Sequence, residues 1–207
     1  MSSRSRPQPV RAALLAATLG LAGLAGFAGL VAFGGGMAGA QVAPTLHLVV
    51  DTPTDAVDAV PGDGICDDGS GHCTLRAALQ ETNRLAPVGT STITLTTDVD
   101  LSIPPTGTDG EESGDLDVFG KVAIIGQKHR IHAHQIDRVI HEHLGKLNLS
   151  NVYIIGGVTL PDHPVGGGIW AEGFLNLNRV TLWANRAMGA RSAGGAVYGS
   201  RGAIITV

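Results

Sequence analysis

Gly145-Lys146-Leu147-Asn148-Leu149 returns as Gly173-Phe174-Leu175-Asn176-Leu177, 28 residues further along the chain. At the same offset Val152-Tyr153-Ile154 returns as Val180-Thr181-Leu182, and Gly167-Gly168-Ile169-Trp170 as Gly195-Ala196-Val197-Tyr198. Short alternating segments broken by glycine turns, repeating at this length without a helical period, are the pattern of a β-solenoid. Coils stacked at strand spacing, about 4.8 Å, align Leu147 and Leu149 with Leu175 and Leu177 as inward ladders. Further upstream, Val122 to Gly126 (VAIIG) aligns with Val152 to Gly156 (VYIIG) at 30 residues, and Leu116 with Leu147 at 31. The array then amounts to about four coils.

Stacked coils need a cover over their first open edge. The stretch from Asp63 to Asn83, DGICDDGSGHCTLRAALQETN, supplies one. Thr74 is an N-cap, and Leu75, Ala78, Leu79 and Thr82 fall on one stripe of a helix of about ten residues that Asn83 and Pro87 end. Such a helix is not stable alone and must lie on another surface. Cys66 and Cys73 close a small loop just before it, read as a disulfide. A thiolate metal pair is the competing reading, but a C-x-x-C spacing and a second ligand pair are missing.

Cys73-Thr74-Leu75-Arg76-Ala77-Ala78, preceded by Gly62-Asp63-Gly64-Ile65-Cys66 and followed by Glu81-Thr82-Asn83, resembles the CSLREA domain, the N-terminal module of many exported bacterial proteins. That resemblance implies a right-handed parallel β-helix after residue 90, with residues 41–90 as its N-terminal cap and 91–207 as its repeats. Thr74 stands for the family's Ser and keeps the cap. Ala77 stands for its Glu, which removes the carboxylate of a capping box. The Gly194 to Val197 run also resembles repeats of polymorphic outer-membrane and adhesin-type β-helix proteins.

Residues 1–40 read as a secretory signal peptide. Arg4, Arg6 and Arg11 precede an uncharged run from Ala12 to Phe33, and Ala38-Gly39-Ala40 offers a cleavage site. An uncleaved anchor is the alternative, and it is the one membrane contact expected. Removing this segment leaves 11 basic residues against 18 acidic ones, about −7, which argues against nucleic acid as a partner. Thirty glycines and few aromatics suit closely stacked backbone. Two exported cysteines are expected to pair.

The chemistry is thinner. Asp55, Asp58, Asp63, Asp67 and Asp68 crowd one loop, and Asp58, Asp63 and Asp67 could take calcium, the only cofactor these acids suggest. Against that stands a solvated acidic loop partly neutralised by Arg76. Asp109 to Asp117 (DGEESGDLD) reads as a solvent-exposed turn. His132 with His134, and His141 with His143, form two H-x-H pairs that share an outer strand face if Ile131 and Ala133 point inward. Such a pair can ligate Zn²⁺ or Cu²⁺. No catalytic residue is assigned: Asp137, Glu142, Asp162 and Glu172 make no recognisable acid pair, and Asn176, Asn178 and Asn185 suit turns or ladders.

These readings converge on a secreted or cell-surface protein with a structural or adhesive role, binding a glycan or another protein. A carbohydrate-active lyase or hydrolase, and a truncated piece of a longer surface protein ending inside a coil at Val207, are the competing expectations.

Overall fold

The computed structural model describes residues 45–85, 89–107, 110–159, 161 and 163–207. The expected signal segment, Pro87, Asp109 and Asp162 lie outside them. The described chain opens with strand β1 (His47–Val50) and helix α1 (Leu75–Leu85). Coil 1 follows as β2 (Thr90–Leu95), β3 (Val99–Asp100) and β4 (Leu116–Val118); coil 2 as β5 (Lys121–Ile125), β6 (Arg130–His132) and β7 (Ile140–Glu142). Coil 3 is β8 (Lys146–Ser150), β9 (Tyr153–Ile155) and β10 (Ile169–Ala171). Coil 4 is β11 (Phe174–Asn178), β12 (Thr181–Trp183) and β13 (Val197–Gly199), and β14 (Ile204–Thr206) continues from it. Three parallel sheets result, ordered β1-β2-β5-β8-β11-β14, β3-β6-β9-β12 and β4-β7-β10-β13. The described residues form a parallel β-solenoid of four coils with one short helix.

Strand alternation sends every second side chain inward. In the long sheet Ser91, Val122, Leu147 and Leu175 share one ladder, and Ile93, Ile124, Leu149 and Leu177 the next. All eight are buried. The 28-residue offset is therefore the true register in all three sheets of coils 3 and 4, pairing Leu147 with Leu175, Ile154 with Leu182 and Ile169 with Val197.

The upstream alignments are corrected. Val122 pairs with Leu147 in the long sheet, whereas Val152 precedes β9 in a different sheet; Leu116 pairs with Ile140, not Leu147. Coil 2 is shorter than its neighbours because only residues 133–139 join β6 to β7, where residues 156–168 and 184–196 make the equivalent link in coils 3 and 4.

Helix α1 covers the first coil, and Leu75, Ala78 and Leu79 join the common core. Thr74 caps it as expected: its Oγ1 accepts the Ala77 N–H at 3.0 Å. Its end and its burial both differ from expectation. The helix does not stop at Asn83, whose side-chain amide donates to the Asp117 carbonyl and Glu111 and accepts the Phe119 N–H, pinning the last turn to β4. Nor is burial confined to one stripe, since Leu75 through Thr82 are all buried. The acidic loop packs against the helix through part of its length: Asp63 stays exposed and Asp67 and Asp68 are half-buried, and Arg76 neutralises one of the acids as expected. Asp55 and Asp58 are buried, Arg76 pairs with Asp55, and Glu81 accepts the N–H groups of Gly62 and Gly64. Likewise Ser113, Asp115 and Asp117 of the second acidic stretch are buried, not exposed.

Cys66 and Cys73 form the expected disulfide, seven residues apart. A loop of this length contributes about 2–3 kcal/mol on the chain-entropy account. Reduction is accordingly expected to lower the melting temperature by several degrees, read by circular dichroism with and without a thiol reductant; an unchanged melt would deny the bond a role in holding the cap.

Candidate functional site

Coil stacking places each H-x-H pair over an aspartate of the coil before it. Asp117 on β4 registers beside His141 on β7, and Asp100 on β3 beside His132 on β6. The two constellations match atom for atom. In one, Asp117 Oδ1 lies 2.6 Å from His143 Nε2 and 4.0 Å from His141 Nδ1. In the other, Asp100 Oδ1 lies 2.9 Å from His134 Nε2 and 3.9 Å from His132 Nδ1. The expectation that Ile131 and Ala133 point inward, leaving the histidines on the outer face, holds.

The environments differ. Asp117 and His141 are buried although they face outward. The His141 ring stacks on Trp170 at 4.1 Å and meets His143 at 3.6 Å, and His143 stacks on Phe119 at 4.3 Å. Burial, then the nearby His143, Arg138 and His163, push the His141 imidazole down to about 2, so it is neutral at any physiological pH. Glu172 adds a second carboxylate, 3.9 Å from His141 Nε2 and 3.9 Å from His143 Nδ1. The Asp100 constellation is more open, and burial with the adjacent His134 lowers His132 more mildly.

Beside the buried cluster, at the corner between the β4 sheet and the long sheet, runs a groove of about 360 Å³ lined by Phe119, Lys121, Leu144, Lys146 and Phe174 with Gly120 and Gly145. Lys121, Lys146 and Phe174 occupy successive rungs of one outward ladder. Leu144 is 81% exposed and held at a φ of +51°, an unusual conformation for an apolar side chain. Phe119 belongs to both features, stacking on His143 and lining the groove.

The calcium candidates behave differently. Asp58 accepts the N–H of Val60 and of Asp67, Asp63 that of Ile65, and Asp67 those of Gly69 and Gly71. Their oxygens close the loop on its own amides, and the three do not form a cluster of donor atoms. Asn185, read as a turn or ladder residue, bridges coils by accepting the Gly157 N–H and donating to the Ile154 carbonyl. Sequence reading missed Asp100, Asp117 and Glu172 as companions of the histidines. Only the strand register, which sets Asp117 beside His141, could have found them.

Comparison with protein-family models, curated proteins and solved structures finds no match to this chain.

Proposed function

We propose that this is an exported, adhesive β-solenoid of the CSLREA type, and that its corner groove binds an anionic glycan. The observation that carries the reading is the Lys121–Lys146 pair on adjacent rungs between Phe119 and Phe174. Like charges set side by side on a ladder are destabilising, so two lysines on neighbouring rungs beside an apolar groove make a place that favours an anionic ligand. A carboxylated or sulfated sugar would be drawn to this pair. Phenyl faces and the protruding Leu144 offer apolar surface for the C–H faces of sugar rings, and the rung spacing of about 4.8 Å approaches the length of one sugar residue.

Export and the family assignment draw support from the cap. The disulfide suits an oxidising compartment. Arg76 and Glu81, both within the family-like stretch, each tie the helix to the loop that precedes it. Among the described residues no helix is long and apolar enough to cross a membrane.

The test is a binding array of neutral, uronate and sulfated glycans with the full chain. Retention of the acidic members, falling steeply with salt and weakened at least tenfold in the Lys121→Gln/Lys146→Gln double variant, is the expected result. Binding indifferent to both lysines would overturn the site, and release of unsaturated or reducing ends would replace adhesion by catalysis.

A further inference from the structure

We infer that Asp117, His141 and His143 form a binding site for a divalent transition metal, Zn²⁺ or Cu²⁺, that joins coil 1 to coil 2. One donor from each residue lies within 4.8 Å of the others. Around a tetrahedral ion with bonds of about 2.0–2.2 Å, donors sit roughly 3.4 Å apart. The observed separations of 2.6 and 4.0 Å bracket that value, so small side-chain rotations close the site. Asp117 is 3% exposed, and its Oδ2 is buried with no hydrogen-bond partner. A buried carboxylate oxygen of this kind is costly unless a cation or donor meets it.

The choice of metal follows from the donors. Two imidazoles and one carboxylate suit Zn²⁺ or Cu²⁺, whereas Ca²⁺ and Mg²⁺ take oxygen ligands. Which nitrogens face which acids divides the roles further. Asp117 approaches His141 by Nδ1 and His143 by Nε2, and Glu172 approaches the opposite nitrogen of each ring. Glu172 therefore cannot share the ion with the same ring atoms. It occupies the outer place from which a carboxylate accepts the remaining ring N–H, fixing the tautomer of a ligating histidine. Trp170 and Phe119 hold the two rings by stacking. Three protein ligands leave a fourth position for water or an exogenous donor.

The recurrence at Asp100, His132 and His134, with the same three atoms in the same order, is an independent sign that the arrangement is built. That second set is more exposed and has Arg130 beside it, bonded to Asp98 at 3.4 Å, so it is the weaker of the two.

Full-length chain stripped with chelator and passed through gel filtration with excess Zn²⁺ is expected to retain one ion tightly, counted by elemental analysis, and to melt at higher temperature than the stripped chain. His143→Gln should abolish that retention while still melting cooperatively without metal. Glu172→Gln should weaken it by about 10–100-fold. His134→Gln, at the exposed set, should leave the tight ion in place. Substitution of Co²⁺ into the unaltered chain gives a readout free of mutational damage: intense visible d–d bands mark a tetrahedral nitrogen and oxygen site. Failure to retain Zn²⁺ or Cu²⁺, a Co²⁺ spectrum no different from the aqueous ion, or unchanged affinity in His143→Gln would each overturn the inference.

Discussion

Replacing Arg76 by methionine is expected to destabilise the protein by about 3–5 kcal/mol, the loss typical of breaking a buried ion pair by removing one partner. Arg76 is 1% exposed and every one of its guanidinium donors is used. Nε and Nη2 bind the two oxygens of Asp55 at 2.7 and 3.1 Å, Nη1 reaches the carbonyls of Glu111 and Asp115, and Nη2 also reaches that of Gly114. Asp55 in turn accepts the N–H groups of Ser102 and Ile103. One side chain thus fastens three segments together: the helix, the loop before it and the long loop of coil 1. Methionine fills a similar volume and leaves Asp55 buried with amide partners but no countercharge. The gentler Asp55→Asn keeps one carbonyl oxygen for those amides and should cost less. Urea denaturation followed by circular dichroism measures both. In a repeat array the cap can also melt separately, so an early transition carrying the helical signal would report the same damage. A loss below about 1 kcal/mol for Arg76→Met would mean the cap is held by its apolar face alone.

What could be read from residues alone was what faces the core. Leu147, Leu149, Leu175 and Leu177 must be apolar to stack inward, so their spacing carries the coil length wherever the outer loops are equal, as in coils 3 and 4. Loops do not face the core and their lengths are free. Coil 2, with its short link at residues 133–139, broke the period, and the resemblance of Val122–Gly126 to Val152–Gly156 then matched strands of two different sheets. Polar residues were misjudged for a related reason. Asp55 and Asp115 look like solvent-loving acids until the chain is closed around Arg76 and Arg138, Asp58 until its carboxylate takes the loop amides of Val60 and Asp67, and Asn83 looks like a helix terminator until β4 arrives beside it. The H-x-H pairs were visible because they are local. Their aspartates were not, because the partner of a solenoid residue lies one coil away at a distance that changes from coil to coil: Asp100 meets His132, whereas Asp117 meets His141.

Gly145→Ala is expected to cost about 3 kcal/mol although it adds one methyl group. Glycines 120, 145 and 173 follow one another up the corner beside the groove, and each carbonyl accepts a hydrogen bond from the coil above: Gly120 from Lys146 at 3.0 Å, Gly145 from Phe174 at 3.1 Å, Gly173 from Ile204 at 2.9 Å. A Cβ on Gly145 would run into the Gly120 carbonyl oxygen, the acceptor of the Lys146 N–H, and a Cβ on Gly173 would lie 2.6 Å from the Gly145 oxygen. The obstacle is backbone on both sides, which cannot rotate away. Coils 2 and 3 must separate at this corner, with overpacking of about 1–3 kcal/mol and weakening of a hydrogen bond that contributes about 0.5–1.5 kcal/mol. Gly71→Ala separates crowding from conformation. Gly71 has a φ of +91° and nothing within 4 Å of a Cβ, so its cost is backbone strain alone, about 1–2 kcal/mol. Urea midpoints for the two variants should therefore differ, with Gly145→Ala the lower. Because Gly145 also lines the groove, the same separation of coils should loosen the spacing of Lys121 and Lys146 and weaken glycan retention in the folded fraction, which Gly71→Ala would leave unchanged. Equal midpoints would place the role of this glycine in its conformation and remove close backbone stacking as the reason the corner repeats it.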